Sequence, residues 1–237
     1  MAIKFCVAVL TFATGIAVHL AWNVAPPQPT TQPQPPPARN YGSADVGTLN
    51  RAILDAKARG DNTVELSVLG CGWDIGSLRT TLSRDTIVVA DLVGKKTYED
   101  TWGLHTWYRF KIKETLVKHP SPPYALAIDS RPSDMLPIAE DEFLIRETNG
   151  QMEIDGVTVT QYSNGARYVE GKTYLLFLWL DPSKRTAIRS GTDPLGVFLV
   201  DSDGNLSPYL NRPYPLQTEL GKRFNNSVNN LREALKK

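Results

Sequence analysis

The chain has 237 residues, of which 41% are hydrophobic, 9% aromatic and 22% charged. That composition excludes a collagenous, mostly disordered or disulfide-stapled protein. Residues 1–40 hold Lys4, Arg39 and no acid, so the remainder carries 24 basic against 25 acidic side chains, a net −1. Such a balance supplies no field to draw in nucleic acid, and none is expected as a partner.

Lys4 and the initiating amine precede Phe5–Trp22, an 18-residue stretch with no formal charge while His19 is neutral. As a helix it would span about 27 Å, enough for a bilayer core. A cleavable signal would need small residues at −3 and −1. Cutting after Ala25 places Asn23 at −3 and Pro26 at +1, and cutting after Ala17 leaves a stunted apolar core. Residues 1–25 therefore read as a signal anchor crossing the membrane through residues 5–22, with a cleaved signal peptide as the alternative. The only charge before the apolar stretch is positive, which places the C-terminal domain outside the cytoplasm. The expectation is a single-pass cell-envelope protein, or a secreted one if the leader is cut.

Residues 26–40 form a linker. Pro26–Pro37 reads PPQPTTQPQPPP, seven prolines in twelve residues, and an extended polyproline spacer of that length reaches on the order of 35 Å. Residues 41–237 fit one domain. Ser43 or Asp45 can cap a helix with the apolar face Val46, Leu49, Ile53 and Ala56, which Gly60 stops. Val64, Leu66 and Val68 then alternate with polar neighbours, and Thr86–Val93 is β-branched enough for a central strand. Over Thr106–Leu116, Tyr108, Phe110 and Ile112 face one way while Trp107, Arg109, Lys111 and Lys113 face the other, one side buried and one wet.

Glu142–Thr148 is a further strand. Met152–Ile154 and Val157–Gln161 flank the turn pair Asp155-Gly156. Lys172–Leu180 lacks alternation, so both of its faces need cover. A hairpin follows, with Gly196–Asp201 and Leu206–Tyr209 joined by Ser202–Asn205. Last, Leu216, Leu220, Phe224, Val228, Leu231 and Leu235 make a helical stripe through the end of the chain, available as that cover. The class is α+β and β-rich: a small antiparallel barrel flanked by an N-terminal and a C-terminal helix.

The order of Thr86–Gly94, Trp107–Leu116 and a late Tyr174-Leu-Leu-Phe-Leu178 preceded by Gly171-Lys172 resembles the netrin-like modules shared with tissue inhibitors of metalloproteinases, over about residues 71–210. The resemblance implies an OB-type barrel. Those inhibitors act through an N-terminal Cys-x-Cys, whereas this chain reads Gly70-Cys71-Gly72-Trp73, so the resemblance carries the fold and no inhibitory activity.

No motif assigns a reaction. Cys71 is the only cysteine after the leader and reads as a small buried hydrophobe. His105 and His119 have neither HExxH nor a cysteine pair to complete a metal site, and no cofactor is expected. Asp201–Asn205 looks like the opening of a calcium loop, but its glycine is misplaced and Arg212 stands where a bidentate Glu is needed, so a hairpin turn accounts for it. A triad of Asp129-Ser130 with His105 or His119 would require a folding coincidence. A carboxylate pair drawn from Asp100, Asp129, Asp134, Asp141 and Glu142 would make an envelope hydrolase, provided two of them converge.

The stronger reading is a binding surface. Trp107, Arg109, Lys111 and Lys113 share one strand face, and Tyr98 and Trp102 lie just before it. Barrels of this kind use aromatic and basic faces for extended ligands. The expected partner is a protein, a glycan or an anionic lipid. The expected protein is thus a tethered binding module rather than an enzyme, with the hydrolase or a structural assembly component as alternatives.

Overall fold

The computed structural model describes residues 46–68, 77–100, 103–119, 132–163, 165–181, 185–189, 196–209 and 214–236. The leader, the proline-rich segment, the Ser43 and Asp45 caps, Cys71, Trp102 and Asp129-Ser130 lie outside them. All the described residues belong to the second of two units, Met1–Pro37 and Ala38–Lys237. Among them, no helix is long and apolar enough to cross a membrane.

Helix α1 (Val46–Arg59) buries Leu49, Ala52, Ile53 and Ala56, spaced to line one face. It stops where Gly60 takes φ +75°, a conformation that costs glycine little, and the Asp61 N–H closes the last turn on the Ala56 carbonyl. That face packs on a three-stranded sheet in which β6 (Val157–Tyr162) lies between β1 (Thr63–Ser67) and β5 (Gly150–Ile154). The β5–β6 turn is Asp155-Gly156, at φ 52° and 79°, the left-handed pair that tight hairpins require. The β1–β6 pairing is parallel. Neither this sheet nor its parallel pair is anticipated by the expectation of one antiparallel barrel. Period-two alternation identifies strands without naming their partners.

The larger sheet runs β10-β9-β7-β2-β3-β4-β8. Its members are β2 (Thr86–Asp100), β3 (Gly103–Val117), β4 (Glu142–Glu147), β7 (Thr173–Asp181), β8 (Thr186–Arg189), β9 (Val197–Val200) and β10 (Leu206–Pro208). Strand β8 also pairs with β7, so hydrogen bonding passes from β2 through β3, β4 and β8 to β7 and back to β2. The closure is uneven. The parallel β4–β8 contact is only Leu144 with Thr186 and Ile145 with Ala187. Register shifts between Ile87 and Val88, Val89 and Ala90, and Leu92 and Gly94 supply the curvature on β2.

Both faces are covered along residues 86–90 of β2 and 174–178 of β7. Val88, Ala90, Leu176 and Leu178 face a core with Phe110, Phe143, Tyr168 and Tyr174, whose rings meet edge-on or stacked at 4.9–6.0 Å. Ile87, Val89, Leu175 and Phe177 lie in a second core with α2 (Leu78–Leu82), α3 (Pro215–Phe224) and α4 (Val228–Leu235). The unbroken apolar run of β7 is thus explained by the C-terminal stripe. That stripe is two helices rather than one. Asn225 and Asn226 take φ 52° and 49°, their N–H groups close α3 on the Gly221 and Leu220 carbonyls, and Ser227 caps α4.

Candidate functional site

The outward residues of β3 form rows with their neighbours: Lys96 of β2, Trp107 of β3 and Arg146 of β4 lie side by side, as do Arg109 and Leu144, and Lys111 and Glu142. Across this face runs the segment 132–142, a strap that joins β4 and contains a 3-10 turn at Ser133–Met135. Met135 and Ile138 pack with Trp107, Leu144 and Tyr98, which leaves Trp107 only 3% exposed.

Polar groups of the strap meet the cations of the same face. Arg109 donates through Nη2 to the Met135 carbonyl, and its Nη1 lies 4.0 Å from Glu142 Oε2. Lys96 pairs with Asp134, Tyr98 OH donates to Asp134 Oδ1 at 2.5 Å, and Lys111 Nζ is 3.5 Å from Asp141 Oδ2. The hydrogen bonds from Lys96 and Tyr98 hold the Asp134 carboxyl below the usual range. Burial, reinforced by the Asp134 carboxylate, pushes the Tyr98 phenol well above its ordinary value.

Where the strap begins, a cleft of about 500 Å³ opens beside the end of the β2–β3 hairpin. Tyr98, Glu99, His105 and Trp107 line it from the hairpin, Arg146 from β4, and Pro132, Ser133 and Asp134 from the strap. His105 and Trp107 are only 5% and 3% exposed, so the accessible polar groups are chiefly Glu99, Asp134, Arg146 and the Ser133 hydroxyl. This mixture suits recognition of a ligand with both charged and apolar parts.

The residues expected to form the site therefore separate. Tyr98 lines the cleft. Trp107 is a buried floor rather than an exposed aromatic surface, because β-alternation reports the face a side chain occupies and not what lies on it. Arg109 and Lys111 are engaged by the strap, and Lys113, 3.5 Å from Asp91 Oδ1, stands further along β3. Trp102 lies outside the described residues. Arg146 escapes sequence reading because only the β3–β4 register sets it beside Trp107. The Ser133 and Asp134 contributions carry no sequence signal beyond a proline-bounded polar loop.

The other chemistries fare differently. Asp134, Asp141 and Glu142 are each engaged by a different cation of the β2–β3 hairpin, Lys96, Lys111 and Arg109 respectively. Asp129 and the Asp100 side chain lie outside the described residues. Among the described residues, no group of three His, Cys, Asp or Glu side chains could hold a metal. The Asp201 carboxylate accepts from the Asp203 and Asn205 backbone N–H groups and from Asn205 Nδ2, which holds its pKa low and closes the β9–β10 turn. Leu220 and Leu231 are fully buried and Phe224 is nearly so, leaving no apolar docking stripe on α3 or α4. No protein-family model matches the chain, and no curated protein or solved structure is significantly similar to it.

Proposed function

We propose that this chain is a binding module of the OB type, tethered outside the cytoplasm by its N-terminal segment and the proline spacer, which engages a partner at the cleft beside the β2–β3 hairpin. The ring of pairings supports the OB reading: β2, β3, β4, β8 and β7 follow one another round, antiparallel except at the β4–β8 junction. Barrels of that type bind extended ligands on the outer face of their second and third strands and at the adjacent loops. In this chain those strands are β3 and β4, and the observation that carries the proposal is the cleft on that face. The netrin-like resemblance accords with the ring and extends to no activity.

The test is capture by the full chain of immobilised anionic glycans, anionic lipids and acidic peptides. Arg146→Glu together with Tyr98→Ala should reduce capture at least tenfold with the thermal midpoint little changed. Lys222→Glu with Arg223→Glu, on α3, should leave it intact. Equal losses from both pairs would remove the cleft from consideration. Reporter fusions after residue 45 and at the C-terminus check the side of the membrane, and cytoplasmic activity at both would overturn the tethering.

A further inference from the structure

We propose that the outer face of β3 is a receptor for an extended peptide bearing an acidic and then an apolar side chain, and that residues 132–142 occupy it as a built-in pseudo-ligand which such a partner displaces. The inference rests on the binding role proposed for this face and names the class of partner.

The strap supplies, in chain order, what the face can recognise. The Asp134 carboxylate takes Lys96 and Tyr98. The Met135 side chain covers Trp107 while its carbonyl takes Arg109, and the Asp141 carboxylate takes Lys111. Lys96, Arg109 and Lys111 thus each find an oxygen partner, and the large apolar residues beside them, Trp107 and Leu144, find an apolar cover in Met135. Charge complementarity selects a partner with carboxylates at this spacing. The apolar residue between them distinguishes a peptide from a lipid headgroup, which brings anionic oxygens without a side chain to lay on Trp107.

The strap is also attached in a way that permits exchange. Among the described residues, the backbone–backbone hydrogen bonds of 132–140 stay inside the segment: Met135 N–H to the Pro132 carbonyl, Leu136 to Ser133, and Glu142 to Ala139. The first backbone bond to the sheet is from Ile112 N–H to the Asp141 carbonyl, at the start of β4. Elsewhere side chains hold it, including Arg185 Nη1 on the Ala139 carbonyl at 2.8 Å. The Lys96 and Asp134 side chains are 58% and 45% exposed, so solvent screens their pair. A segment without ladder hydrogen bonds belongs to the low-stability end of a domain and opens ahead of the strands beneath it. The cleft leaves free volume at Ser133 and Asp134, where an incoming chain can begin to replace the strap.

A labelled synthetic peptide of residues 132–142, PSDMLPIAEDE, is titrated against the full chain in detergent. Asp134→Asn with Asp141→Asn weakens the resident strap and leaves the receptor untouched. This variant should bind the peptide at least tenfold more tightly than the unaltered chain, and adding Arg109→Gln should abolish the gain. In the unaltered chain, the backbone amides of 133–136 and 138 should exchange with solvent faster than those of 106–111. A folded double variant that binds no more tightly, strap amides as protected as those of β3, or displacement of the peptide by anionic phospholipid in mixed micelles would each overturn the proposal. If the double variant fails to fold, the exchange pattern of the unaltered chain decides. Loss of the peptide effect with Arg146-dependent capture intact removes this inference alone, whereas loss of both removes the cleft as well.

Discussion

The Gln161 side-chain amide pairs with both backbone groups of Leu104: the Leu104 N–H donates to Oε1 and Nε2 donates to the Leu104 carbonyl, each at 3.0 Å. Gln161 is fully buried. It stands on β6 of the small sheet and Leu104 on β3 of the large one, so one glutamine takes the place of the strand that would otherwise satisfy this turn of the hairpin. Replacing it with leucine leaves a donor and an acceptor orphaned, at about 1–3 kcal/mol each before any local rearrangement. Urea denaturation of Gln161→Leu should show a loss of at least ~2 kcal/mol, and a neutral result would mean that water reaches Leu104.

The same contact explains Gly103. Its φ is +106°, and a Cβ there would stand 2.6 Å from Gln161 Oε1. Gly103→Ala should therefore cost more than about 1 kcal/mol, the usual penalty of a left-handed alanine alone. The excess should vanish in a Gln161→Ala background, a coupling that a double-mutant cycle measures directly.

Trp107→Ala is expected to act on stability before it acts on binding. The side chain is buried against Met135 and Leu144, and truncating a buried tryptophan costs about 3–5 kcal/mol. Chemical denaturation should show a loss of that size. A folded, equally stable Trp107→Ala protein would contradict the covered position of this ring.

Glu114 and Arg232 join β3 to α4, with Arg232 Nε 2.6 Å from Glu114 Oε1 and Nη2 2.5 Å from Oε2. The guanidinium lowers the Glu114 pKa. A depressed carboxyl stabilises the fold above its unfolded pKa, and the contribution is lost as pH falls through the folded value. Both side chains are about one-third exposed, so the effect should stay within ~1 kcal/mol. Comparing thermal midpoints of the unaltered chain and Glu114→Gln from about pH 6 to about pH 3 should show a gap that closes towards acid. A gap independent of pH would assign the difference to packing.

Asn225 separates α3 from α4 at φ 52°. Asn225→Gly should be neutral or slightly stabilising, and Asn225→Ala should cost about 1 kcal/mol. Equal thermal midpoints for the two variants would mean that the break is imposed by packing of α4 alone.

Periodicity alone determined much of this domain. The apolar face of α1, the inward Tyr108 and Phe110, the Asp155-Gly156 turn, the two-sided burial of β7 and the stripe Leu216–Leu235 are all local consequences of residue spacing and turn chemistry. Pairing partners were another matter. Nothing in residues 63–67 names β6 as a parallel neighbour, and nothing in 186–189 announces that β8 bridges β4 and β7, because parallel and closing contacts join segments far apart in the chain. The candidate site shows the same division. Alternation placed Trp107 with Arg109 and Lys111 on one face, but only the tertiary structure laid Met135 over the ring, gave the cations their oxygen partners, and left the cleft where Arg146 and Asp134 come together. A side chain's direction is encoded by its own strand. What covers it is decided by packing from elsewhere in the chain.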